Sequence, residues 1–168
     1  MTQKEMVDIF AVLLLAFPNA ETFKGGIQKL GPTIELWTAC LPDVDYWIGQ
    51  QAAIKLCREC KYPPTIAEFR EKADAVKNEV GNQISQAWES LRLPMKLRGA
   101  SPVEAYINAP DMTRAAVDAM GGADKLVING IFNYDGFRKA YEKLLRGRSE
   151  SRSAIGNSTP RQIGGKSK

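Results

Sequence analysis

The sequence predicts an all-α protein: a small helical bundle, a second small helical module and a disordered C-terminal tail. Three observations carry this. Apolar residues recur at spacings of three and four along most of the chain. Capping boxes, prolines and glycine pairs punctuate those stripes where helices should start and stop. From Arg148 onward the stripes vanish into Ser, Gly, Asn, Arg and Pro. With 168 residues and 44% hydrophobic content, the chain can bury a core.

Thr2-Gln3-Lys4-Glu5 reads as a capping box, in which hydroxyl and carboxylate each take the other residue's amide. Met6, Ile9, Phe10, Leu13, Leu14 and Phe17 then form one face, and Pro18 ends the helix. Pro32-Thr33 opens a short helix through Leu36, Trp37 and Cys40. Pro42 stops it, and Asp43 is the expected cap of a third helix. That helix carries Val44, Trp47, Ile48, Ala52 and Leu56, with Cys57 and Cys60 on its flank. Tyr62-Pro63-Pro64 is a rigid turn, and Thr65-Ile66-Ala67-Glu68 a second capping box. Ile66, Phe69, Ala73, Val76 and Val80 follow as the stripe of a fourth helix. Four such helices can close a bundle.

Gly81-Asn82 could end the fourth helix. The stripe nevertheless stays in register through Ile84, Ala87, Trp88 and Leu91, which favours one long or kinked helix joining two halves. Ser101-Pro102-Val103-Glu104 combines an N-cap, Pro at the first helical position and a capping-box acid. Asp111 to Met120 is a further helix, closed by Gly121-Gly122. Leu126, Val127, Ile128 and Ile131 form a short apolar run of undecided type. The last helix carries Phe137, Tyr141, Leu144 and Leu145 and is expected to end near Gly147. The expected units are 1–80, 82–147 and a disordered basic tail, 148–168.

Charge is unevenly placed. Residues 146–168 hold Arg146, Arg148, Arg152, Arg161, Lys166 and Lys168 against Glu150, a net of +5; the remainder holds 17 bases and 18 acids. The basic character thus belongs to the tail. Such a tail suits nucleic acid or an acidic protein face, and equally a merely solubilising role. The predicted helices show no basic face, since Lys24, Lys29, Lys55, Arg58 and Lys61 are scattered among acids.

Enzyme chemistry finds little support. Histidine is absent, which removes the usual proton shuttle near neutral pH and the commonest nitrogen ligand for metals. Cys57-Arg58-Glu59-Cys60 is a CxxC pair, but zinc needs four ligands and only Cys40 remains. Gly165-Lys166-Ser167 resembles the end of a phosphate-binding loop, yet Pro160 stands where that loop needs its first glycine. Asp43, Asp45, Glu5 and Asp8 read as acids at helix starts. No catalytic, cofactor or metal site is therefore expected. Trp37, Trp47 and Trp88 lie on apolar stripes and read as core residues. Three cysteines, an odd number, favour a reducing compartment. The longest apolar run, Ile9 to Phe17, is nine residues, and a membrane span needs roughly 20. Glu5 and Asp8 sit where a signal peptide would be basic. The expected location is the cytoplasm.

Leu14-Leu15-Ala16-Phe17-Pro18, then Trp37 with Leu41, then Lys61-Tyr62-Pro63-Pro64-Thr65-Ile66-Ala67-Glu68-Phe69 resemble the N-terminal domain of phage replicative-helicase loader/inhibitor proteins. The similarity covers about residues 8–70. Ala87-Trp88, Gly121-Gly122 and the Phe137–Tyr141 spacing resemble a second helical segment of longer phage members. The resemblance implies a non-enzymatic adaptor. It would bind a hexameric replicative helicase, hold it inactive and deliver it to an origin marked by an initiator. It implies that the C-terminal region, with Arg146, Arg148, Arg152, Arg161 and Lys166, meets the helicase. Exposed residues near Tyr62, Pro63 and Pro64 would then face another replication protein, an initiator or a single-strand binding protein. Two rival readings stay open: a basic-tailed DNA-binding replication or regulatory protein, with weak DNA contact through the tail, and an anti-host helicase inhibitor.

Overall fold

The structure, a computed structural model, describes the backbone of residues 1–156 and side chains through Ser149. Among these residues lie seven α-helices and one two-stranded hairpin, so the chain is all-α apart from that hairpin. It divides into two compact units, Met1–Gln83 and Ile84–Lys168. No helix among the described residues is long and apolar enough to cross a membrane.

The first unit begins with α1 (Gln3–Ala16), whose capping box forms as the sequence demands: Thr2 Oγ1 accepts the Glu5 amide, and Glu5 accepts the Thr2 amide at 2.7 Å. Helices α2 (Gly31–Cys40) and α3 (Tyr46–Glu59) both pack on α1. The fourth, α4 (Ile66–Arg98), starts in this unit at the Thr65–Glu68 capping box. The core is aromatic at its centre. Phe10 meets Trp37 edge-on at 5.0 Å between ring centroids, and Trp37 meets Phe69 at 5.4 Å. Met6, Ile9, Leu13, Leu41 and Leu56 enclose this trio, all essentially without solvent contact. Such edge-to-face pairs add about 0.5–1.5 kcal/mol each beyond the apolar area they bury.

Asp43 does not cap α3. Asp45 stands at the N-cap, and the helix starts at Tyr46. The carbonyl of Val44, which would have accepted an early helical amide, accepts from the Met1 ammonium at 3.2 Å. Asp43 is drawn instead to Arg70 of α4, which donates to both of its carboxylate oxygens at 3.0 Å.

Gly81-Asn82 does not end α4, which is one helix through Arg98. A lone glycine costs about 1 kcal/mol in a helix interior. The stripes on either side offset that separately: Phe69, Ala73 and Val76 are buried before it, and Ile84, Ala87, Trp88 and Leu91 after it. Between them Lys77, Asn78, Glu79, Gly81, Asn82 and Gln83 are all exposed. Even Pro94, which has no N–H to donate to the previous turn, is carried within the helix.

The second unit continues with α5 (Pro102–Ile107), α6 (Asp111–Ala119), β1 (Val127–Ile128), β2 (Ile131–Phe132) and α7 (Tyr134–Gly156). Ser101 and Glu104 form the capping box of α5. Gly121 and Gly122, both at positive φ, close α6, and the Gly122 amide donates back to the Val117 carbonyl at 2.9 Å. The apolar run left undecided by its sequence is a hairpin. Val127 pairs with Phe132 and Ile128 with Ile131. Asn129 and Gly130 both take positive φ, 50° and 78°, as the tight turn between right-twisted strands requires. Asn133 then caps α7 by accepting the Gly136 amide at 3.1 Å. Trp88 is the hub of this core, 5.3 Å from Phe137 and 5.5 Å from Tyr134.

The last helix does not stop near Gly147. It continues to Gly156. One glycine again proves too weak a terminator, and the arginines and Ala154 beyond it are good helix formers. The rest of the expected tail, from residue 157, lies outside the described residues.

Candidate partner-binding surfaces

The turn between α3 and α4 is built by two termini. The Cys60 amide closes α3 by donating to the Leu56 carbonyl at 2.8 Å, and the Thr65 box opens α4. Prolines at 63 and 64 hold the intervening backbone extended. Tyr62 is thrust outward, with 70% of its surface exposed, and the Lys61 ammonium stands 5.7 Å over its ring. Pro63 is half-buried and Pro64 buried. Of the three residues singled out in the sequence, then, Tyr62 is the one that faces solvent, and Pro64 lies inside.

Ion pairs fix this corner. Besides its grip on Asp43, Arg70 donates to the Cys40 carbonyl, tying the start of α4 to the end of α2. Lys72 bonds Glu59, and Lys55 bonds Glu79 at 2.6 Å, both joining α3 to α4. Arg70 holds the Asp43 carboxyl below its usual range, and Lys72 does the same to Glu59. Exposed pairs like these add little stability individually, because water and salt screen them. Their geometry still sets where Tyr62 is presented.

Other apolar side chains reach solvent in this unit. Leu15 on α1 is 79% exposed, with Val12 one turn before it, and Leu36 on α2 is 56% exposed. Leu36 shares a helix with buried Trp37, and only the packing shows that it faces outward.

The cysteines are free thiols. Cys40 is exposed, and Cys57 and Cys60 are half-buried against the core. Burial, then the neighbouring Cys60 thiol, push the Cys57 thiol above its usual range, which keeps it protonated and weakly nucleophilic. Among the described residues, no three Cys, Asp or Glu side chains are grouped to hold a metal.

In the second unit, a shallow open groove of about 270 Å³ is lined by Ser85, Trp88, Glu89 and Tyr134. Its one carboxylate, Glu89, is bound by Arg92 through two contacts of 2.8 Å, and this lowers its proton affinity. The hairpin and α5 add exposed apolar groups. Ile131 is 72% exposed, and Val103 and Ile107 share the outer face of α5. Sequence reasoning missed both the groove and the hairpin tip. The Asn129-Gly130 pair between apolar residues was the available signal.

Of the cations expected to meet a partner, Arg146 and Arg148 lie exposed on α7. The side chain of Arg152, and Arg161 and Lys166 altogether, fall outside the described residues. On α7, three bases share one arc of the helix, with Asp135 and Glu142 beside them. Lys139, Lys143 and Arg146 recur at i, i+4 and i+7, and all three are exposed.

Comparison with known proteins bears on the first unit. No curated protein and no solved structure matches the chain significantly. Residues 1–70 match the family model for the N-terminal domain of gp39P, a phage helicase loader/inhibitor. That span runs from the first capping box through the Tyr62 turn and the first turn of α4. The similarity to this family of phage helicase loader/inhibitor proteins thus covers 70 of the 168 residues, all within the first unit.

Proposed function

We propose that this protein is a phage DNA-replication adaptor that binds a hexameric replicative helicase, holds it inactive and delivers it to an initiator-marked origin. The family of the N-terminal domain carries the reading. The surfaces support it. Tyr62 stands on a braced turn, and aromatic anchors of that kind dominate protein interfaces. The C-terminal basic segment, from Arg146 and Arg148 through Arg152 to Arg161 and Lys166, engages the helicase. The first unit faces the initiator or single-strand binding protein. The adaptor acts stoichiometrically, without turnover of its own, in the host cytoplasm.

The decisive experiment adds purified helicase to single-stranded DNA coated with single-strand binding protein, with and without this protein. Faster loading identifies a loader; inhibition at every ratio identifies a trap. A companion pull-down compares the full chain with one ending at Gly156. Equal helicase capture by both removes the segment beyond α7 from the mechanism.

A further inference from the structure

We propose that the outer face of α7, built on Lys139 and Lys143 and ending at Arg146, docks a run of nucleic-acid phosphates. The strip lies on the folded helix and not on the tail, and it shares only Arg146 with the segment assigned to the helicase.

Three observations lead there. The first is spacing. Residues 139, 143 and 146 lie within about 60° of one another around the helix and span about 10.5 Å along it, at 1.5 Å per residue. Measured along the axis of a duplex, each strand presents a phosphate about every 3.4 Å, so the strip is long enough to meet more than one.

The second is the fate of the nearby acids. Asp135 and Glu142 flank the strip, and both turn toward Arg138, at 4.0 Å and 3.2 Å. Those three groups together carry −1, and Lys139, Lys143 and Arg146 carry +3, so this stretch of the helix keeps a net charge of +2.

The third is what the face lacks. Over residues 134–149 the helix has no exposed large hydrophobic residue; Phe137, Ala140 and Tyr141 are all turned into the core. A protein interface of useful affinity needs apolar or aromatic anchors and is depleted in lysine. A lysine strip without anchors fits a phosphate backbone, for which charge alone suffices. The sequence beyond it, with Arg148, Arg152, Arg161, Lys166 and Lys168, carries the same sign onward.

The test is fluorescence anisotropy of the full chain with a labelled poly(dT) strand and with a duplex of equal length, titrated across salt concentrations. The charge-reversed pair Lys139→Glu/Lys143→Glu should weaken binding at least tenfold. It should also flatten the logarithmic salt dependence by about two units, roughly 0.9 per lost phosphate contact on duplex. A control reversal in the first unit, Lys4→Glu/Lys29→Glu, changes net charge equally and should cost less than threefold. Lys139→Gln/Lys143→Gln, which keeps helix propensity, should fall between wild type and the charge-reversed pair. Preference for strand or duplex identifies the source of the phosphates, and either supports the proposal. It is overturned if neither probe binds at low salt, if control and α7 reversals weaken binding equally, or if polyglutamate competes as well as DNA.

Discussion

Replacing Gly81 tests the feature on which the sequence was most evenly divided. The residue sits inside α4 with exposed neighbours, and an added Cβ would meet nothing within 4 Å. Gly81→Ala therefore creates no contact and removes none. It acts only on backbone freedom, where Ala is favoured by about 1 kcal/mol in a helix interior. In a chain of 168 residues, that raises the thermal midpoint by about 2–4 °C. Had Gly81 been the left-handed cap of a shorter helix, the same change would cost about 1–2 kcal/mol and lower the midpoint. The sign alone separates the two structures. Gly81→Pro supplies the complement. It removes an amide donor and drives its ring at the preceding turn, a loss of about 3 kcal/mol or more. Thermal melts followed by far-ultraviolet circular dichroism would read both. A lower midpoint for Gly81→Ala, or an unchanged one for Gly81→Pro, refutes the continuous helix.

Phe69→Ala should destabilise the first unit by about 3–5 kcal/mol, because Phe69 is fully buried and closes the Phe10–Trp37–Phe69 stack; chemical denaturation followed by tryptophan fluorescence measures it. Gly130→Ala forces a β-carbon onto a residue at φ 78° and should cost about 1–2 kcal/mol, visible as lost amide protection around Ile128 and Ile131. Because Arg70 depresses the Asp43 carboxyl, that pair's contribution is present above the ordinary carboxylate range and is lost as pH falls through the folded-state value. Stability measured against pH should decline on acidification, and Arg70→Met should remove part of that slope.

What could be read from the sequence was local chemistry with one solution. The pairs Thr2–Glu5, Thr65–Glu68 and Ser101–Glu104 each mark a helix start by their spacing of three, and each forms. The stripes around Phe10, Phe69 and Trp88 likewise announce their burial. Failures came where a weak local preference met a tertiary partner. Asp43 and Asp45 are equivalent caps until Arg70, 27 residues away, claims Asp43. Gly147 looks like a terminator until the flanking helix segments are weighed. Tyr62 was legible as part of a rigid turn; that Pro64 lies inside and Tyr62 outside required coordinates.

The two exposed turns at residues 77–83 bear on how the chain can be cut. Proteases need an extended substrate, and in most proteins a loop between compact units provides one. Here the boundary between the units falls within α4. Cleavage must await opening of the helix, so digestion there reports the free energy of that opening when reclosing is fast. A fragment ending at residue 80 would leave the last four carbonyls of its helix without partners. Gly81→Ala, by closing the ladder more firmly, should make the intact chain the longer-lived species under digestion.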